Sequence, residues 1–368
     1  MIEYMNKNDF IDAIKLLNNG SLYIAGAGKY GCILGEYLDK HNVICKGFAD
    51  KNNGLNNGRV FSYQEIEEKE AHYIISSYIY KNDILSELRD CGVASENIIT
   101  YKSQDVFYEI YEELFHWKKY THKLKKYKDK YLNKRCFIIG NGPSLKLEDL
   151  EKLSDEITFA SNSIYAIYKN TKWRPTYYCV TDSLACQEIM NSEKSIKMIL
   201  DGCCAAFTSV MGEGFRYRDN SEMEKVNYLC IINSDRNNLN FSSEITEQIY
   251  GAGTVSYEMI QLAVYMGFNQ IYLIGMDCNY SIEKYKDGSI VINNVKNHMD
   301  QLEEEEKRYD TDKILHKQQG CFADIDLFFA GYSKAKEYAD SHGIKIYNST
   351  RGGKLEIFER VNFDTIFV

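Results

Sequence analysis

The chain has 368 residues, of which 44% are apolar and 26% are charged, so its composition is that of a folded globular protein about two domains long. Lysine and arginine number 44 against 53 aspartates and glutamates, which leaves a formal charge of −9. This charge has the wrong sign for a protein that binds nucleic acid, so we expect no nucleic-acid partner.

Apolar runs and cysteines indicate the compartment. No apolar run approaches the roughly 18 to 20 residues that span a bilayer, and the first residues lack the pattern of a signal peptide. We therefore expect a cytoplasmic protein. The 11 cysteines are scattered, several within strand-like runs, and are interpreted as reduced core residues. They lack the paired spacing of a zinc site, and no metal site is predicted from them.

The first hundred residues alternate short β-type runs with helical stretches. Strand-like segments at 22–25, 43–48 and 72–76 are separated by amphipathic stretches. This alternation predicts βαβ units with a parallel sheet. We therefore expect an α/β fold and a small Rossmann-like domain over residues 1–104.

A glycine-rich turn follows the first of these strands. It contains Gly26, Gly28 and Gly31, and Asp50 ends the next strand. Glycines at such a turn let a pyrophosphate approach the helix N-terminus, while the acid takes a ribose hydroxyl. Two interpretations stay open: a nucleotide site, for example for NAD, and glycines needed for packing alone.

Residues 105–134 are predicted to form one long helix that connects two domains. Its second half is rich in lysine. A basic block in an acidic protein has two interpretations: docking of residues 118–135 on an anionic membrane surface or an acidic acceptor, or a solvated helix face. The first would place the protein peripherally at the inner face of the membrane. The lysines are Lys118, Lys119, Lys123, Lys125, Lys126, Lys128, Lys130 and Lys134.

A larger Rossmann-like α/β domain is predicted over residues 135–368. Its first strand runs into the segment Gly140-Asn-Gly-Pro-Ser144, where glycines and proline shape a turn and Ser144 can cap the next helix. The next two strands end at Asn162 and Asp182. Polar residues at the carboxyl ends of parallel strands lie at the edge where open α/β sheets bind ligands.

Two later turns follow the same logic. Gly253, Thr254 and Ser256 open an apolar helix and can hold a phosphate or ribose with backbone amides and hydroxyl groups. Asp277 follows the buried strand 270–274. An acidic segment further on has no core pattern, which predicts a mobile lid.

Taken in order, these motifs resemble those of the bacterial sialyltransferases found in Campylobacter surface-glycan synthesis. They also resemble the wider group that shares a domain with archaeal 6-hydroxymethylpterin diphosphokinase and with flagellin-modifying motility accessory factors. The closing segment 347–356 is typical of that wider group. The resemblance covers roughly residues 135–360 and implies a catalytic domain.

The resemblance implies roles for single residues. In the sialyltransferases the glycine loop and the asparagine after the second strand hold cytidine monophosphate (CMP). Two tyrosines of that family bond the leaving phosphate, and phenols can do so without a metal, so transfer requires no cofactor. The matching positions here are Asn141, Gly142, Ser144 and Asn162 for the nucleotide, Gly253, Thr254, Ser256 and Asp277 at the later turns, and Tyr280 and Tyr285 for the tyrosines.

This sequence departs from the sialyltransferases after the third strand, where Asp182 replaces an asparagine. An acid there would repel a phosphate unless a divalent cation lay between them. That arrangement is closer to the diphosphokinases, with Mg²⁺ held by Asp182 and Asp277.

The resemblance also implies a histidine base late in the lid. His316 is the first candidate and His298 the second, because a histidine titrates near the working pH. Asp324 and Asp326 lie nearest the family position and are further candidates. The alternative is that His316 is merely an exposed side chain.

We therefore expect a glycosyltransferase that moves a sugar, specifically a nonulosonic acid such as sialic acid from its CMP ester, onto a surface-glycan or protein acceptor. The alternatives are a Mg²⁺-dependent diphosphokinase of the 6-hydroxymethylpterin type and a nucleotide-binding scaffold without turnover. The expected partners are the nucleotide-sugar donor and the acceptor. Assembly into a homo-oligomer is left open.

Overall fold

The computed structural model describes residues 1–17, 21–51, 60–65, 67–78, 80–182, 185–186, 189, 192–211, 223–234, 239–279, 282–284, 290–292, 299 and 325–367. The chain divides into two compact units, Met1–Trp117 and Lys118–Val368. The division falls inside the predicted connector.

The N-terminal unit is built on a six-stranded parallel sheet. Its strands are β1 (Ile2–Tyr4), β2 (Leu22–Ala25), β3 (Gly47–Ala49), β4 (Val60–Phe61), β5 (His72–Ile75) and β6 (Ile98–Tyr101), in the order β1-β6-β5-β2-β3-β4. Its helices are α1 (Lys7–Leu17), α2 (Lys29–Lys40), α3 (Lys81–Asp90) and α4 (Gln104–Phe115). The chain proceeds outward from β2 to β3 on one side and returns at β5 on the other, so the order reverses between β2 and β5. This is the topology of a doubly wound α/β sheet, which confirms the predicted Rossmann-like unit.

The continuous helix predicted for residues 105–134 is wrong. Helix α4 ends at Phe115, and His116 follows in the left-handed conformation with φ 51°. The His116 N–H donates to the carbonyl oxygen of Glu112. A left-handed residue closed by such a hydrogen bond ends an α-helix, and the lysine pattern carries no information about it.

A short helix, α5 (Lys118–Thr121), and a 3-10 helix, His122–Tyr127, follow this break. Their buried residues are Thr121, Leu124 and Tyr127, which are spaced three apart. Residues spaced three apart lie on one face of a 3-10 helix, which has about three residues per turn, whereas in an α-helix they would lie on gradually different faces. The lysine-rich half of the segment therefore packs as a tighter, shorter element.

The C-terminal unit is built on an eight-stranded parallel sheet. Its strands are β7 (Arg135–Ile139), β8 (Thr158–Ser161), β9 (Tyr177–Val180), β10 (Ala205–Ser209), β11 (Val226–Leu229), β14 (Gln270–Ile274), β17 (Lys345–Asn348) and β18 (Glu359–Arg360). Their order is β11-β10-β9-β8-β7-β14-β17-β18. Two small sheets pair β12 (Ile231–Asn233) with β13 (Ile249–Gly251) and β15 (Ile282–Lys284) with β16 (Ile290–Ile292). The strand order of the large sheet reverses between β7 and β14, so this unit is also Rossmann-like, as predicted.

Helices cover this sheet, and one of them is buried almost all round. They are α6 (Leu147–Lys152), α7 (Glu193–Gly202), α8 (Val255–Tyr265) and α9 (Ile325–Ser341). Nine of the eleven residues of α8 are buried, because it is apolar on nearly every side and packs between the sheet and α9. Its first residues lie at the carboxyl edge of the sheet, where the candidate site is found.

None of the described helices has both the length and the hydrophobicity needed to cross a bilayer. The cysteines in the described part of the chain are free thiols. Cys136, Cys179 and Cys230 are buried, as expected for core residues. Burial also raises the pKa of the Cys45 thiol, to about 12, so this group is not poised as a nucleophile near neutral pH.

Candidate functional site

A cleft opens at the carboxyl edge of the eight-stranded sheet, where the strand order reverses between β7 and β14. It encloses about 690 Å³, including the part open to solvent. Ligands of open α/β sheets bind at this position, because the loops after the two neighbouring strands diverge there. Its polar lining includes Asn141, Asn162, Thr254, Ser256 and Asp277. With Gly142, six of the predicted binding residues are thus brought together.

Two glycine turns form the floor of the cleft. The Gly140 N–H donates to the carbonyl oxygen of Ile274 at 2.8 Å, and the Gly142 N–H donates to that of Gly275 at 2.9 Å. A Cβ at Gly140 would collide with the Gly275 carbonyl, and a Cβ at Gly142 would collide with the Asp277 carboxylate. Glycine is needed at both positions because the two loops touch through their backbones.

Asp277 holds this pair of loops together. Its Oδ2 accepts a hydrogen bond from Ser144 Oγ at 2.7 Å and one from the Ser144 N–H at 3.4 Å. Burial raises the pKa of Asp277, and the bonds from Ser144 oppose that shift. Ser144 was a plausible cap for the next helix, but α6 begins at Leu147 after Lys146, and the serine hydroxyl is committed to Asp277 instead.

The polar turn after β17 supports the Asp277 loop from behind. Thr350 Oγ1 accepts from the Met276 N–H at 3.0 Å, and the Asp277 carbonyl oxygen accepts from the Lys354 N–H at 2.8 Å. Gly353, at φ 78°, lies so close to the Asp277 backbone that a Cβ there would collide with it. The closing segment therefore fixes the backbone that carries the Asp277 carboxylate.

Two asparagines of the cleft have side-chain oxygens that find no partner among the described residues. Asn141 donates its Nδ2 to the Ser161 carbonyl oxygen at 3.2 Å, while its Oδ1 is buried and unpaired within the described part of the chain. Asn162 follows β8 in the left-handed conformation, with φ 51°, and its Oδ1 is also buried, with no partner in the segments that the structure describes. An unpaired buried acceptor costs free energy, so two of them in one cleft point to a ligand that supplies the donors.

The N-terminal end of α8 supplies hydroxyl groups and backbone amides. Thr254 precedes the helix, and its Oγ1 lies 2.8 Å from Ser256 Oγ. Ser256 Oγ lies 2.5 Å from Tyr332 Oη of α9, and Tyr332 is 2% exposed. The Thr254 side chain does not cap the helix. The first N–H groups of α8 and its dipole therefore favour an anion in the cleft.

Helix α9 contributes two residues that sequence reasoning missed, Phe328 and Tyr332, which both line the cleft. Gly331 lets this helix approach, since a Cβ there would come within 2.5 Å of Ala252. Gly253 has φ 73°, and a Cβ there would likewise come too close to the ring of Phe328. The sequence did contain a signal for this contact. Phe328, Gly331 and Tyr332 are spaced so that they share one face of a helix, with a small residue between two aromatic ones.

Asp182 lies outside the lining of the cleft. Its Oδ1 accepts from the Ala185 N–H at 2.9 Å, which starts a turn after β9. Glu258, in the first turn of α8, is 4% exposed. Burial, with the charge of Asp182 as a smaller cause, raises the pKa of Glu258 to about 8. Glu258 therefore holds its proton at neutral pH, and the predicted catalytic role of Asp182 stays a prediction.

The glycine turn of the N-terminal unit also forms, at the point where its strand order reverses. Gly26 has φ 96°, and a Cβ at Gly31 would collide with the Gly26 carbonyl oxygen. Gly28 has open space where a side chain would be. Asp50 Oδ2 accepts from the Ala27 N–H at 2.7 Å, which ties the acid to the turn. The four predicted residues meet there, and nucleotide binding stays a prediction.

Several predicted catalytic residues lie outside the described residues: Tyr280, Tyr285, His316, His298, Asp324 and the acidic lid segment. Asp326 is described, and it is exposed in the first turn of α9. The roles implied for all of them stay predictions.

Residues 107–283 match a family described as 6-hydroxymethylpterin diphosphokinase MptE-like. The match spans somewhat less than half of the chain and confirms the resemblance to that superfamily. A solved structure, the MAf glycosyltransferase from Magnetospirillum magneticum AMB-1, aligns with 98% of this chain at 13% identity and a TM-score of 0.39. The chain spans 62% of the length of that protein. No curated protein matches the chain.

Proposed function

We propose that the C-terminal unit is a glycosyltransferase whose donor is a nucleotide sugar, specifically a nonulosonic acid carried on CMP, and whose acceptor is a surface glycan or a protein. The observation that carries this proposal is the pair of buried oxygens on Asn141 and Asn162, unpaired among the described residues, beside the N-terminal end of α8. The two oxygens require N–H or O–H donors from a ligand, and the N-terminal end of the helix favours an anion. A nucleoside monophosphate supplies both.

A further observation supports it. The similarity of residues 107–283 to the MptE-like family supports a transferase at the coarser level.

The proposed reaction is a single displacement with inversion. A hydroxyl oxygen of the acceptor forms a bond to the anomeric carbon of the sugar, the bond from that carbon to the phosphate oxygen breaks, and the electron pair leaves with CMP. The acceptor proton passes to a base, for which His316 stays the first candidate. Stabilising the phosphate as it leaves is the task of the N–H groups of α8 and of the hydroxyl groups beside them.

Tyr332 is proposed to orient those hydroxyl groups. When its Oη donates to Ser256 Oγ, and Ser256 donates to Thr254 Oγ1, the Thr254 hydroxyl is left to donate into the cleft. A fixed chain of donors strengthens as charge builds on the leaving phosphate, without reorganisation of solvent. Tyr332 is then a positioning residue that acts through Thr254.

Replacing Tyr332 with phenylalanine should lower kcat about tenfold and change the Kd for CMP by less than about threefold, because the bond matters most in the transition state. Steady-state turnover of the donor and calorimetry with CMP measure the two effects. Tyr338→Phe, on the same helix and stacked on Phe241, is the matched control and should leave both quantities unchanged. Equal losses in kcat and in affinity for CMP would contradict the positioning role.

A Mg²⁺-dependent diphosphokinase is the second candidate, favoured by the description of the matching family. The carboxylates fit it less well. Asp277 Oδ2 already accepts a hydrogen bond from Ser144, and Asp182 Oδ1 already accepts one from a backbone N–H. Asp182 also lies outside the cleft lining.

Calorimetry with CMP, UDP and ATP, each with and without Mg²⁺, separates these candidates. The transferase predicts that CMP binds without metal and more tightly than UDP or ATP. ATP binding that requires Mg²⁺ would favour the diphosphokinase instead. Tight CMP binding with no turnover of any CMP-sugar would favour the nucleotide-binding scaffold.

A further inference from the structure

Residues 118–134, called here the lysine strap, form a basic surface on an acidic protein. All eight lysines of the strap are exposed, against a single acid, Asp129, in the same segment. The whole chain has a formal charge of −9. Positive charge is therefore concentrated in one short stretch rather than dispersed among acids, which is typical of a surface that meets an anionic partner.

The fold, rather than the sequence alone, keeps these lysines on the outside. Thr121, Leu124 and Tyr127 are 0%, 0% and 5% exposed, and the Tyr127 ring lies 5.2 Å from the ring of Phe207 in the core. Every third residue is thus anchored inward, and the lysines between them must project outward. The strap presents its charge on a rigid support, so binding does not have to order a flexible tail.

Acidic residues lie close to the second half of the strap. Glu244 pairs with Lys128 at 2.8 Å, and Glu224 lies near Lys126. Lys126 is crowded by like charges as well, since burial and then Lys123 lower the pKa of its ammonium group.

An exposed apolar side chain lies within this basic surface. Leu132 is 60% exposed, between Lys130 and Lys134. Its turn is held by backbone hydrogen bonds, from the Tyr131 N–H to the carbonyl oxygen of Met266 at 2.8 Å and from the Asn133 N–H to that of Gly267 at 3.1 Å. The phosphate backbone of a nucleic acid would interact favourably with the lysines alone. An anionic bilayer surface would interact favourably with the lysines and also with an exposed apolar side chain.

We propose that the lysine strap docks on an anionic membrane surface, with its lysines at the lipid phosphates and Leu132 inserted among the headgroups. The proposal does not depend on the chemistry of the cleft. The strap is bonded to the C-terminal end of α8, whereas the cleft lies at the N-terminal end, about 16 Å away along an eleven-residue helix. The docked protein would therefore present its cleft toward the aqueous side, to an acceptor that projects from the membrane or lies free of it.

Sedimentation of the full chain with lipid vesicles tests this proposal. In about 0.1 M salt we expect binding to phosphatidylcholine vesicles that contain roughly a third phosphatidylglycerol, and none to phosphatidylcholine alone. The variant Lys123→Gln/Lys125→Gln/Lys126→Gln/Lys134→Gln should bind the anionic vesicles at least about tenfold more weakly. Leu132→Ser should weaken binding by about threefold.

The matched control changes the same charge elsewhere on the same unit. Lys169→Gln/Lys172→Gln/Lys194→Gln/Lys345→Gln replaces four exposed lysines outside the strap and should bind the vesicles like the unmodified chain. Equal loss in both quadruple variants, or no binding to anionic vesicles at all, would overturn the proposal. It would also be overturned if the strap lysines governed binding to an RNA or DNA duplex while vesicles were ignored. The circular dichroism spectrum and the thermal unfolding midpoint of each variant check that it is still folded.

Discussion

The Asn162→Gly variant is expected to bind CMP about 10- to 100-fold more weakly than the unmodified chain while keeping its thermal stability. Asn162 holds φ 51°, a conformation that glycine adopts without cost, so the substitution removes the side chain and preserves the backbone. The lost Oδ1 is buried and has no partner among the residues that the structure describes. Removing it relieves an unsatisfied group in the free protein and deletes an acceptor in the complex, which is worth about 1 to 3 kcal/mol of binding.

The chain offers a matched control for this substitution. Asn133 also has a positive φ, 59°, and lies in the lysine strap away from the cleft. Asn133→Gly should leave the Kd for CMP unchanged, as measured by calorimetry. Unaltered CMP affinity in Asn162→Gly would mean that the unpaired oxygen does not face the ligand.

Replacing Glu258 with glutamine is expected to stabilise the protein at pH 8 and to have little effect at pH 4. Burial raises the pKa of Glu258 from 4.5 to about 8, so the folded state keeps a proton that the unfolded chain releases. The folded state then binds more protons between these two pH values, and stability falls as pH rises through this window. Each pKa unit of difference between the folded and unfolded states corresponds to about 1.4 kcal/mol, so the free energy of unfolding falls by an amount on the order of several kcal/mol between these two pH values.

Glutamine keeps the shape of the protonated acid and cannot ionise. Urea unfolding at pH 4 and pH 8 should show that the difference between Glu258→Gln and the unmodified chain appears only at the higher pH. Glu247→Gln, at an exposed glutamate, is the control and should show no pH-dependent difference. A stability difference of the same size at both pH values would show that Glu258 does not carry its proton in the folded protein.

Much of the cleft could be predicted from the sequence because parallel strands deliver their carboxyl ends to one edge. Asn141, Asn162, Thr254 and Asp277 are far apart in the chain, but each follows a strand or opens a helix at that edge. Glycine spacing then indicates where backbones must touch, as at Gly142. These are local signals, and the topology of the sheet converts them into proximity.

Long-range pairing could not be predicted in the same way. Ser144 has the local context of a helix cap, yet its hydroxyl bonds to Asp277, 133 residues later. Tyr332 belongs to an amphipathic helix, and only the approach of α9 to the glycine turn decides that its hydroxyl meets Ser256. In both cases the local pattern permits several partners, and tertiary packing selects one.

The lysine-rich segment shows why a local pattern can also mislead. Its composition favours an α-helix that continues from α4, but the helix is interrupted at His116, which is left-handed. Trp117 then folds back against α4, where its indole N–H donates to the Tyr108 carbonyl oxygen at 3.1 Å. Helix propensity is a small free-energy term for each residue, and the burial of one large side chain outweighs several of them.

The most direct test of the account is the release of CMP from a CMP-linked nonulosonic acid by the full chain in the presence of EDTA, followed by chromatography. The account predicts metal-independent release, an inverted anomeric product, and a rate reduced by Asn162→Gly and Tyr332→Phe. No release of CMP, together with Mg²⁺-dependent consumption of ATP in the presence of a hydroxymethylpterin, would contradict it and assign the cleft to diphosphoryl transfer.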